Sequence, residues 1–443
     1  MMSVIIQEGT ELHSASKPLD KIRSLMDAAA YGDAVDLLLP LAGADDAPDE
    51  PWRLLLLCLL HLGRAERTFS LLGQRHRSHK DAASLLFLAL NHLLEKKQYD
   101  VIKAFYQSTA EDSAFRGISE YAEGCRLASG FDLEGASFHL RRGLKFAMQT
   151  QDMFADDTVF ITNYLAYMAN QAWLLEPPGF LSSQPPPPQT LVMDDGKRKT
   201  CPAPLVILAA CNGIYFDKYF PRFAAAVQNM EPAITAHIHV INATGESLGL
   251  MAAFSGGDRF RFSDEENKDD HNATYFACSR FLISERIMEF YGKDLLVTDI
   301  DTCPASDISP VCNAVADADI AYFQMPGPAP SLLFHAAMLY FRNNERTRRF
   351  LALSRDYIVR KFKEHDSWML DQAALFAAAC VSKAWPDDKA ARFVDLRERL
   401  GDIERYLPVQ NIPLDCKMRD RHLFDGSLNV EVDINGKPHI FIA

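Results

Sequence analysis

The amino-terminal part of the chain repeats one pattern, in which a short polar turn precedes a stretch whose apolar residues recur every three or four positions. This spacing is typical of a helix with one buried face. Ala34, Ala65, Tyr99 and Leu133 hold similar places in four such stretches, at steps of 31, 34 and 34 residues. The stretches are AYGDAVDLLLPL, HLGRAERTFSLL, KKQYDVIKAFYQ and SGFDLEGASFHL. The pattern therefore predicts helix pairs repeated along the chain.

These steps are close to the 34-residue period of tetratricopeptide helix pairs. The segment resembles that family in period and pattern, although it keeps little of the family's consensus sequence. The resemblance implies an α-solenoid, whose stacked helix pairs leave a concave surface for a partner. An ordinary helical bundle is the alternative interpretation.

A proline-rich stretch, EPPGFLSSQPPPPQTLVMDDGKRKTCPAP, interrupts the helical pattern after residue 175. Proline lacks a backbone N–H and favours extended backbone, so a run of prolines acts as a semi-rigid connector. We therefore predict a helical domain over residues 1–175, a linker over 176–203 and a second domain over 204–443.

The pattern changes after this linker to short apolar runs that alternate with amphipathic stretches. PLVILAAC is almost continuously apolar, as expected of a parallel strand that is buried on both faces. Strands that alternate with helices predict a doubly wound α/β sheet, which binds ligands at the carboxyl ends of its strands.

The totals are those of a globular protein of two or three domains, with 443 residues, 48% hydrophobic residues and 24% charged residues. The formal net charge of -13 argues against binding to a nucleic-acid backbone. Apolar runs such as LLLLCLL fall short of the about 20 residues that span a bilayer. Nine scattered cysteines without a CxxC pair indicate free thiols. We expect a cytoplasmic protein.

Two aspartates close the segment KDLLVTDIDTCP, in which Asp299 and Asp301 follow an apolar run. Residues i and i+2 of a strand share a face, so both carboxylates are expected at one spot. Two chemistries use such a pair. A haloacid-dehalogenase-like phosphatase with a DxDxT motif has a nucleophilic first aspartate, whereas a sugar-nucleotide transferase with a DxD motif binds a divalent cation and a diphosphate. An acidic turn without chemistry is the third interpretation.

The position of the pair disfavours the phosphatase. Such enzymes carry DxDxT on their first strand, whereas here it follows about 90 residues after the strand that begins near Leu205. They also need a later acidic pair at a strand end. The candidate, Asp387 and Asp388, follows Ala-Trp-Pro in a predicted loop.

Four segments in order resemble the GT-A glycosyltransferases over about residues 204–385, in particular the glycogenin/galactosyltransferase-like branch. The segments are ACNGIYFDKY, TYFACSRFLI, DIDT and HDSWMLDQAALFAA. The resemblance implies an α/β GT-A fold, Rossmann-like in its nucleotide-binding part. It also implies transfer of a sugar from a nucleotide-sugar, most commonly a UDP-sugar, with Mn²⁺ or Mg²⁺ as the cofactor.

The resemblance also suggests roles at the nucleotide. Asn212 and Tyr215 match the places that meet the base, although the family more often has Asp where this chain has Asn212. Tyr275 and Arg280 match a tyrosine and an arginine on the helix before DxD. An arginine there can bind a phosphate or hold a DxD carboxylate.

Asp301 is expected to bind the metal directly, and Asp299 is expected to bind it through water or to contact the ribose. The family often takes a third ligand from a carboxyl-terminal histidine. His422 is the first candidate here and His439 the second, because the surrounding motif is altered.

Asp371 and Gln372 match the family's DQ pair near the transferred sugar. A carboxylate at Asp371 could accept a proton from the acceptor or stabilise an oxocarbenium-like centre. The resemblance favours retention of anomeric configuration. A helix amino-terminal cap facing solvent is the alternative for Asp371. His335 and the two alanines after it depart from the family, which has Asn and Gly there.

The sequence thus predicts a metal-dependent glycosyltransferase whose helical repeats hold an acceptor. A protein acceptor is one hypothesis, and a glycan or lipid-linked acceptor is the other. The alternative is a non-catalytic scaffold with a decayed transferase domain, because several motif positions are altered.

Overall fold

The computed structural model describes a defined part of the chain. The described residues are 16–43, 48–79, 81–154, 157, 172, 175, 205–230, 234–266, 273–302, 304–324, 330–364, 369–401, 406, 429–434 and 437–442. The chain forms two compact units. Unit 1 consists of Met1–Arg126 and Phe138–Ala169, and unit 2 of Leu127–Ser137 and Asn170–Ala443. The predicted linker at 176–203 lies outside the described residues, so its boundaries stay a prediction.

The amino-terminal part of the chain folds into helices joined by short turns. They are α1 (Ser16–Asp27), α2 (Tyr31–Ala42), α3 (Asp49–His61), α4 (Ala65–His79), α5 (Ala82–Glu95), α6 (Tyr99–Ser108), α7 (Arg116–Ser129) and α8 (Leu133–Gln149), and a short 3-10 helix, Gln151–Phe154, follows.

The second helix of each pair begins 34 residues after the previous one, at Tyr31, Ala65, Tyr99 and Leu133. The prediction that Ala34 is equivalent to Ala65 is therefore wrong. The equivalent residue is Tyr31, about one turn earlier in α2. The first step is 34 residues and not 31, because the polar turn before α2 ends at Ala30.

The turns within the pairs share one backbone conformation, with φ between 56° and 65° at Ala29, Gly63, Lys97 and Phe131. The amide of the next residue donates to the carbonyl five residues earlier, as in Ala30 N to Leu25 O at 2.8 Å. This is a Schellman ending, which satisfies the last carbonyls of the first helix. The 34-residue period is thus a repeat of turn geometry as well as of apolar residues.

Close contact between α7 and α8 depends on two glycines. A Cβ at Gly117 would lie 2.8 Å from the amide nitrogen of Ala147, and a Cβ at Gly143 would lie 3.0 Å from the carbonyl oxygen of Gly117. The first contact is too short for any side chain and the second is tighter than most Cβ contacts, so glycine lets these two backbones approach each other.

The carboxyl-terminal part of the chain alternates strands and helices. The strands are β1 (Leu205–Asn212), β2 (Thr235–Ile241), β3 (Phe260–Glu265), β4 (Asp294–Thr298), β5 (Ile320–Tyr322), β6 (Met338–Phe341), β7 (Phe393–Asp395), β8 (Asn429–Ile434) and β9 (Lys437–Ile442). The helices are α9 (Gly213–Gln228), α10 (Gly245–Phe254), α11 (Ala273–Tyr291), α12 (Ser309–Ala314), α13 (Glu345–Glu364), α14 (Leu370–Lys383) and α15 (Leu396–Leu400), with a 3-10 helix at Pro330–Leu333.

Seven of these strands form one sheet in the order β3-β2-β1-β4-β6-β5-β7, and β8 and β9 form a separate antiparallel hairpin. The prediction of an α/β sheet is confirmed, but the sheet is mixed. β6 runs antiparallel to both β4 and β5, whereas the other pairs in the sheet are parallel. β1 lies fully buried at the centre, as its apolar run predicts.

The order in which successive strands are added to the sheet reverses at β1. The strands β2 and β3 extend the sheet on one side of β1, and β4 begins the other side. Loops at such a reversal separate and leave a crevice at the carboxyl ends of the two central strands. The site described below lies at the ends of β1 and β4.

A tight corner fixes the start of α9 against the loop after β2. A Cβ at Gly213 would lie 2.5 Å from the carbonyl oxygen of Asn242, so only glycine fits there. The Asp217 carboxylate accepts hydrogen bonds from the hydroxyls of Thr244 and Ser247, both at 2.6 Å. The two loops that border one side of the crevice are therefore joined. No helix among the described residues has both the length and the apolar character to cross a membrane.

Candidate functional site

Asp299 and Asp301 lie beyond the end of β4, which stops at Thr298. The expectation that strand alternation points both carboxylates at one spot is therefore wrong in its reason, because the pair stands in a turn. Thr302 closes that turn by donating its hydroxyl to the carbonyl oxygen of Asp299 at 2.7 Å. Its hydroxyl is also 2.7 Å from that of Thr298. The threonine that suggested a phosphatase motif thus has a structural role.

Arg280 of α11 joins the turn to another element. Its side chain is buried, and each of its two terminal nitrogens contacts a different carboxylate. Nη1 pairs with Oδ1 of Asp299, and Nη2 donates to Oδ2 of Asp371 at 3.1 Å. A guanidinium suits this position because its planar donors can hold two acceptors in fixed directions.

Asp371 stands in the first turn of α14. The helix begins after Met369, which has a φ of 71°. Oδ1 of Asp371 accepts from the amide of Gln372 at 2.8 Å, while Oδ2 faces Arg280. The side chain is only 6% exposed. The alternative of a solvent-facing helix cap is therefore wrong, and Asp371 belongs to the same cluster as Asp299.

Tyr215 of α9 reaches the other aspartate. Its hydroxyl donates to Oδ2 of Asp301 at 2.9 Å, and Asp301 is 5% exposed. Burial and the nearby Asp301 carboxylate raise the pKa of the Tyr215 hydroxyl far above its usual value. The hydroxyl therefore stays protonated and donates its hydrogen bond throughout the physiological pH range.

Asn212 ends β1 and caps α9. Its side-chain oxygen accepts from the amide of Tyr215 at 2.8 Å. The structure therefore uses this oxygen to begin a helix, and the amide nitrogen is the other hydrogen-bonding atom of the Asn212 side chain. Neither structural role of Asn212 and Tyr215 was evident from the motif alone.

Tyr275 lies in the first turn of α11 and contacts a different strand. Its hydroxyl donates to Glu265 at the end of β3, and its ring packs against Phe362 at 5.8 Å. Glu265 also lies 3.4 Å from Nε2 of His239. The structure thus places Tyr275 at the β3 end of the crevice. Glu265 was missed in the sequence because β3 reads FRFSDE, in which polar and charged residues interrupt the apolar ones, so that no apolar run marks the strand.

His237 and His239 are buried in β2, where they form the segment HIH. His237 Nε2 and His239 Nδ1 each lie 2.9 Å from the Ser263 hydroxyl. Burial lowers the pKa of His237 to about 3. His237 is therefore a neutral core residue.

The carboxylates of Asp299 and Asp301 are suited to a hard cation that is shared with a diphosphate. Mg²⁺ is commonly held by one or two carboxylates together with substrate phosphates. Within the described ranges, no group of three or more His, Cys, Asp or Glu side chains forms a ready-made metal site. His422 lies outside the described residues, and His439 lies in β9. Two carboxylates are the number with which proteins commonly hold Mg²⁺.

The sequence matches no protein-family model and no curated protein. Similar solved structures include the WbbM bifunctional glycosyltransferase, at 14% identity and a TM-score of 0.30, over 43% of this chain and 38% of that one. The galactosyltransferase LgtC, solved with donor and acceptor sugar analogues, has 16% identity, a TM-score of 0.29 and coverages of 39% and 70%.

A third similar structure is the mannosyltransferase PcManGT from Pyrobaculum calidifontis, solved with GDP-Man and Mn²⁺. It has 12% identity and a TM-score of 0.25, and the alignment covers 61% of this chain and 66% of that one. The chain spans well under half of the WbbM protein, which is the first of these structures.

Proposed function

We propose that this protein is a metal-dependent glycosyltransferase that moves a sugar from a nucleotide-sugar, in particular a UDP-sugar, to an acceptor hydroxyl. One observation carries the proposal. A buried arginine, Arg280, joins the aspartate pair after β4 to Asp371 of α14 at the point where the strand order reverses. The order of the four sequence segments that resemble GT-A enzymes supports the same conclusion.

The chemistry follows from charge. A nucleoside diphosphate gains negative charge as the bond to the sugar breaks, and a bound Mn²⁺ or Mg²⁺ supplies Lewis-acid stabilisation of that charge. Asp301 and Asp299 would hold the cation. Arg280 adds a fixed positive charge in a buried setting, where it needs little reorganisation. On this proposal, Asn212, Tyr215 and Tyr275 surround the nucleotide.

Asp371 and Gln372 are proposed to lie beside the transferred sugar. Because Oδ2 of Asp371 is bound by Arg280 and Oδ1 by the amide of Gln372, both oxygens are held in place. With both oxygens occupied by fixed donors, neither is directed toward an acceptor hydroxyl as a general base would have to be. We therefore propose that Asp371 stabilises positive charge at the anomeric carbon, in keeping with a retaining reaction.

The helical repeats are proposed to bind the acceptor. The 34-residue period of the helix pairs supports a tetratricopeptide-like solenoid, and such solenoids present extended surfaces to partners. A protein acceptor fits this surface best, and a glycan acceptor is the rival. A cytoplasmic location is proposed from the scattered cysteines of the sequence, which include no CxxC pair.

The test is release of free nucleoside diphosphate. The full chain is incubated with UDP-glucose, UDP-galactose, UDP-xylose or GDP-mannose, with Mn²⁺ or with a chelator. We expect Mn²⁺-dependent release from at least one donor, and a loss of at least 100-fold in Asp299→Ala and Asp301→Ala. Asp387→Ala is the matched control, because Asp387 is an exposed aspartate in a turn.

The scaffold alternative predicts a different result. A decayed transferase domain would release no diphosphate from any donor, and no nucleotide would raise its unfolding temperature. Activity in wild type that persists in both aspartate variants would also contradict the proposed site, since the reaction would then take place elsewhere.

A further inference from the structure

The residues after β7 lie at the edge of the sheet that carries the aspartate pair. β6 runs antiparallel to both β4 and β5, and β7 runs parallel to β5. β4, β5 and β7 therefore run in the same direction, and their carboxyl ends lie at one edge. β7 ends at Asp395, and Arg397 follows two residues later. Arg397 is thus placed at the same edge as Asp299 and Asp301, which follow β4.

The guanidinium of Arg397 lies over an aromatic ring. Its Cζ is 5.3 Å from the ring centroid of Phe323, which follows the end of β5. The ring of His335 also packs on Phe323, with 4.8 Å between the ring centroids. A guanidinium that stacks through its flat face keeps the N–H groups at its edge for an acceptor. The ring of Phe323 therefore positions Arg397 without using its hydrogen-bond donors.

Arg397 differs from a nearby arginine of the same helix in having no carboxylate partner. Arg399 pairs with Asp317, with 3.0 Å between Nη2 and Oδ2. Within the described ranges, the side chain of Arg397 makes no hydrogen bond or ion pair, and only its backbone amide donates, to Asp395 at 2.9 Å. Arg397 is partly buried, and its guanidinium stays charged at physiological pH. An anion bound there would supply the missing partner.

The positive charge of Arg397 reaches the cluster around the aspartate pair. Burial, and then the charges of Arg280 and Arg397, lower the pKa of His335 to about 4. His335 therefore lies near both arginines, Arg280 on α11 and Arg397 on α15. The charge of Arg280 is already balanced by Asp299 and Asp371, whereas the charge of Arg397 is available to a ligand.

The position along the sheet edge distinguishes between the ligands that could carry this anion. The cation and the diphosphate are proposed to lie at the ends of β1 and β4, whereas Phe323 follows β5, two strands beyond β4. At the usual spacing of strands, the ends of β4 and β5 are about 10 Å apart. A diphosphate held by the aspartate pair does not span this distance, and the transferred sugar fits the space between. The acceptor is therefore the substrate that meets Arg397.

We propose that Arg397 binds a carboxylate or phosphate of the acceptor, so that this protein selects acceptors with an anionic group beside the hydroxyl that receives the sugar. A guanidinium forms two parallel hydrogen bonds with either anion. The proposal rests on the proposed function, because it takes the site to transfer a sugar from a nucleotide-sugar. The proposed role of the helical repeats favours an acidic peptide as this acceptor. Arg397 is then a specificity-determining residue.

The experiment uses acceptors in pairs that differ in charge. The full chain is incubated with Mn²⁺, the donor that it prefers in the release assay, and one acceptor. The peptide pair consists of two random libraries around serine, threonine or tyrosine, one flanked by Asp and Glu and the other by Asn and Gln. The sugar pairs are p-nitrophenyl glucuronide with p-nitrophenyl glucoside, and glucose 6-phosphate with glucose. The measured quantity is the ratio of the initial transfer rate to the anionic member over that to the neutral member, which does not depend on the amount of folded enzyme.

We expect wild type to prefer the anionic member by about tenfold or more, the effect of a hydrogen bond to a charged group, and to do so in the peptide pair. Arg397→Gln should lose this preference. Arg397→Lys keeps the charge without the two parallel donors, so it should retain part of the preference. Arg399→Gln is the matched control from the same helix and should keep the ratio of wild type, because Arg399 is already paired with Asp317. A preference confined to a sugar pair would assign the anion to an acidic sugar.

Several results would overturn the inference while the proposed function stands, because wild type would still release diphosphate from its donor. They are equal or faster transfer to the neutral members, transfer to none of these acceptors, and an unchanged ratio in Arg397→Gln. An equal loss in Arg399→Gln would also overturn it, since the preference would then reflect the general charge of the helix. If wild type releases no diphosphate from any donor, the proposed function fails and the inference fails with it.

Discussion

At the scale of single residues, Arg280 of unit 2 holds a positive charge away from water. Its guanidinium is 5% exposed and contacts two carboxylates from two different elements. Removing one partner of a buried ion pair leaves an uncompensated charge, which costs about 3–5 kcal/mol. The arginine is therefore needed for folding as well as for the proposed chemistry.

We predict that Arg280→Ala lowers the free energy of unfolding by about 3–5 kcal/mol and abolishes diphosphate release. Arg280→Lys keeps the charge but cannot reach both carboxylates in the same plane. It should lose less stability and still lose about 10- to 100-fold in activity. Urea unfolding and the release assay measure the two effects. Arg355→Lys, at a pair with Glu285, is the control and should keep its activity.

A pH dependence follows from His237. Its native pKa is about 3, because the ring is buried, whereas a histidine in the unfolded chain titrates near pH 6.5. Between these values the unfolded chain binds a proton that the native protein does not. The free energy of unfolding is therefore fully retained above about pH 6.5, and it falls as the pH drops toward 3, by up to about 1.4 kcal/mol per pH unit.

Urea unfolding at pH 7.5, 6 and 5 measures this slope. His237→Gln should be less stable at pH 7.5, because the hydrogen bonds of the imidazole to Ser263 and Tyr291 are lost, but its stability should depend less on pH. If the stability of His237→Gln falls with pH as steeply as that of wild type, the low native pKa of His237 is contradicted.

Much of the chemistry at this scale could be read from the sequence, but the contacts could not. The resemblance to GT-A enzymes selected Arg280, Asp299 and Asp371, and the structure brings all three together. It did not reveal that Asn212 caps a helix or that Tyr215 binds Asp301. These contacts depend on how two loops meet in three dimensions, and a local sequence pattern holds no such information.

At the scale of elements, the feature that repeats along the amino-terminal helices is the turn inside each helix pair. Only one of the four left-handed positions in the described repeats is glycine, Gly63, while Ala29, Lys97 and Phe131 adopt the same conformation with a side chain. A left-handed φ costs a residue with a Cβ about 1–2 kcal/mol. Glycine loses more backbone entropy on folding, which offsets part of that difference.

We therefore predict that Lys97→Gly raises the free energy of unfolding by about 0.5–1 kcal/mol, and that Gly63→Ala lowers it by a similar amount. Lys96→Gly is the matched control, since Lys96 has a φ of -81° and glycine gains nothing there. Thermal unfolding of the three variants is the measurement. Stabilisation by Lys96→Gly equal to that by Lys97→Gly would contradict the role of the turn.

Element types were predictable, but strand directions and one repeat boundary were not. Apolar runs revealed β1 and β4, and the alternation with helices indicated an α/β sheet. β6 looked the same as a parallel strand in the sequence, because burial on both faces and not direction determines its composition. The predicted position of the first repeat was displaced within α2, because α2 has apolar residues at more than one position that could match the later repeats.

At the scale of the whole molecule, unit 2 includes a short segment that precedes the predicted linker in the chain. Leu127–Ser137, the turn between α7 and α8, belongs to unit 2. Within that unit the Phe131 ring lies 6.0 Å from the ring of Phe376, and Nζ of Lys383 lies 3.2 Å from its centroid. A cut at the proline-rich stretch would therefore remove part of unit 2.

The division into two units leads to a prediction about truncated chains. We predict that a chain starting at residue 176 is less stable than one starting at residue 116, because only the second keeps the partly buried Phe131, whose side chain contributes about 1–3 kcal/mol. Both should release diphosphate from the donor, and both should lose transfer to a protein acceptor. Equal unfolding temperatures would show that the turn adds nothing to unit 2.

The central claim is that a cation and a diphosphate bind together at the carboxyl ends of β1 and β4. Crystals of the full chain grown with Mn²⁺ and UDP, with diffraction recorded at the manganese absorption edge, test it most directly. The account predicts one strong anomalous peak within bonding distance of an Asp301 oxygen and of the diphosphate, with Arg280 still bound to Asp299. UDP bound away from these strand ends, or manganese bound without Asp301 and Asp299, would contradict it.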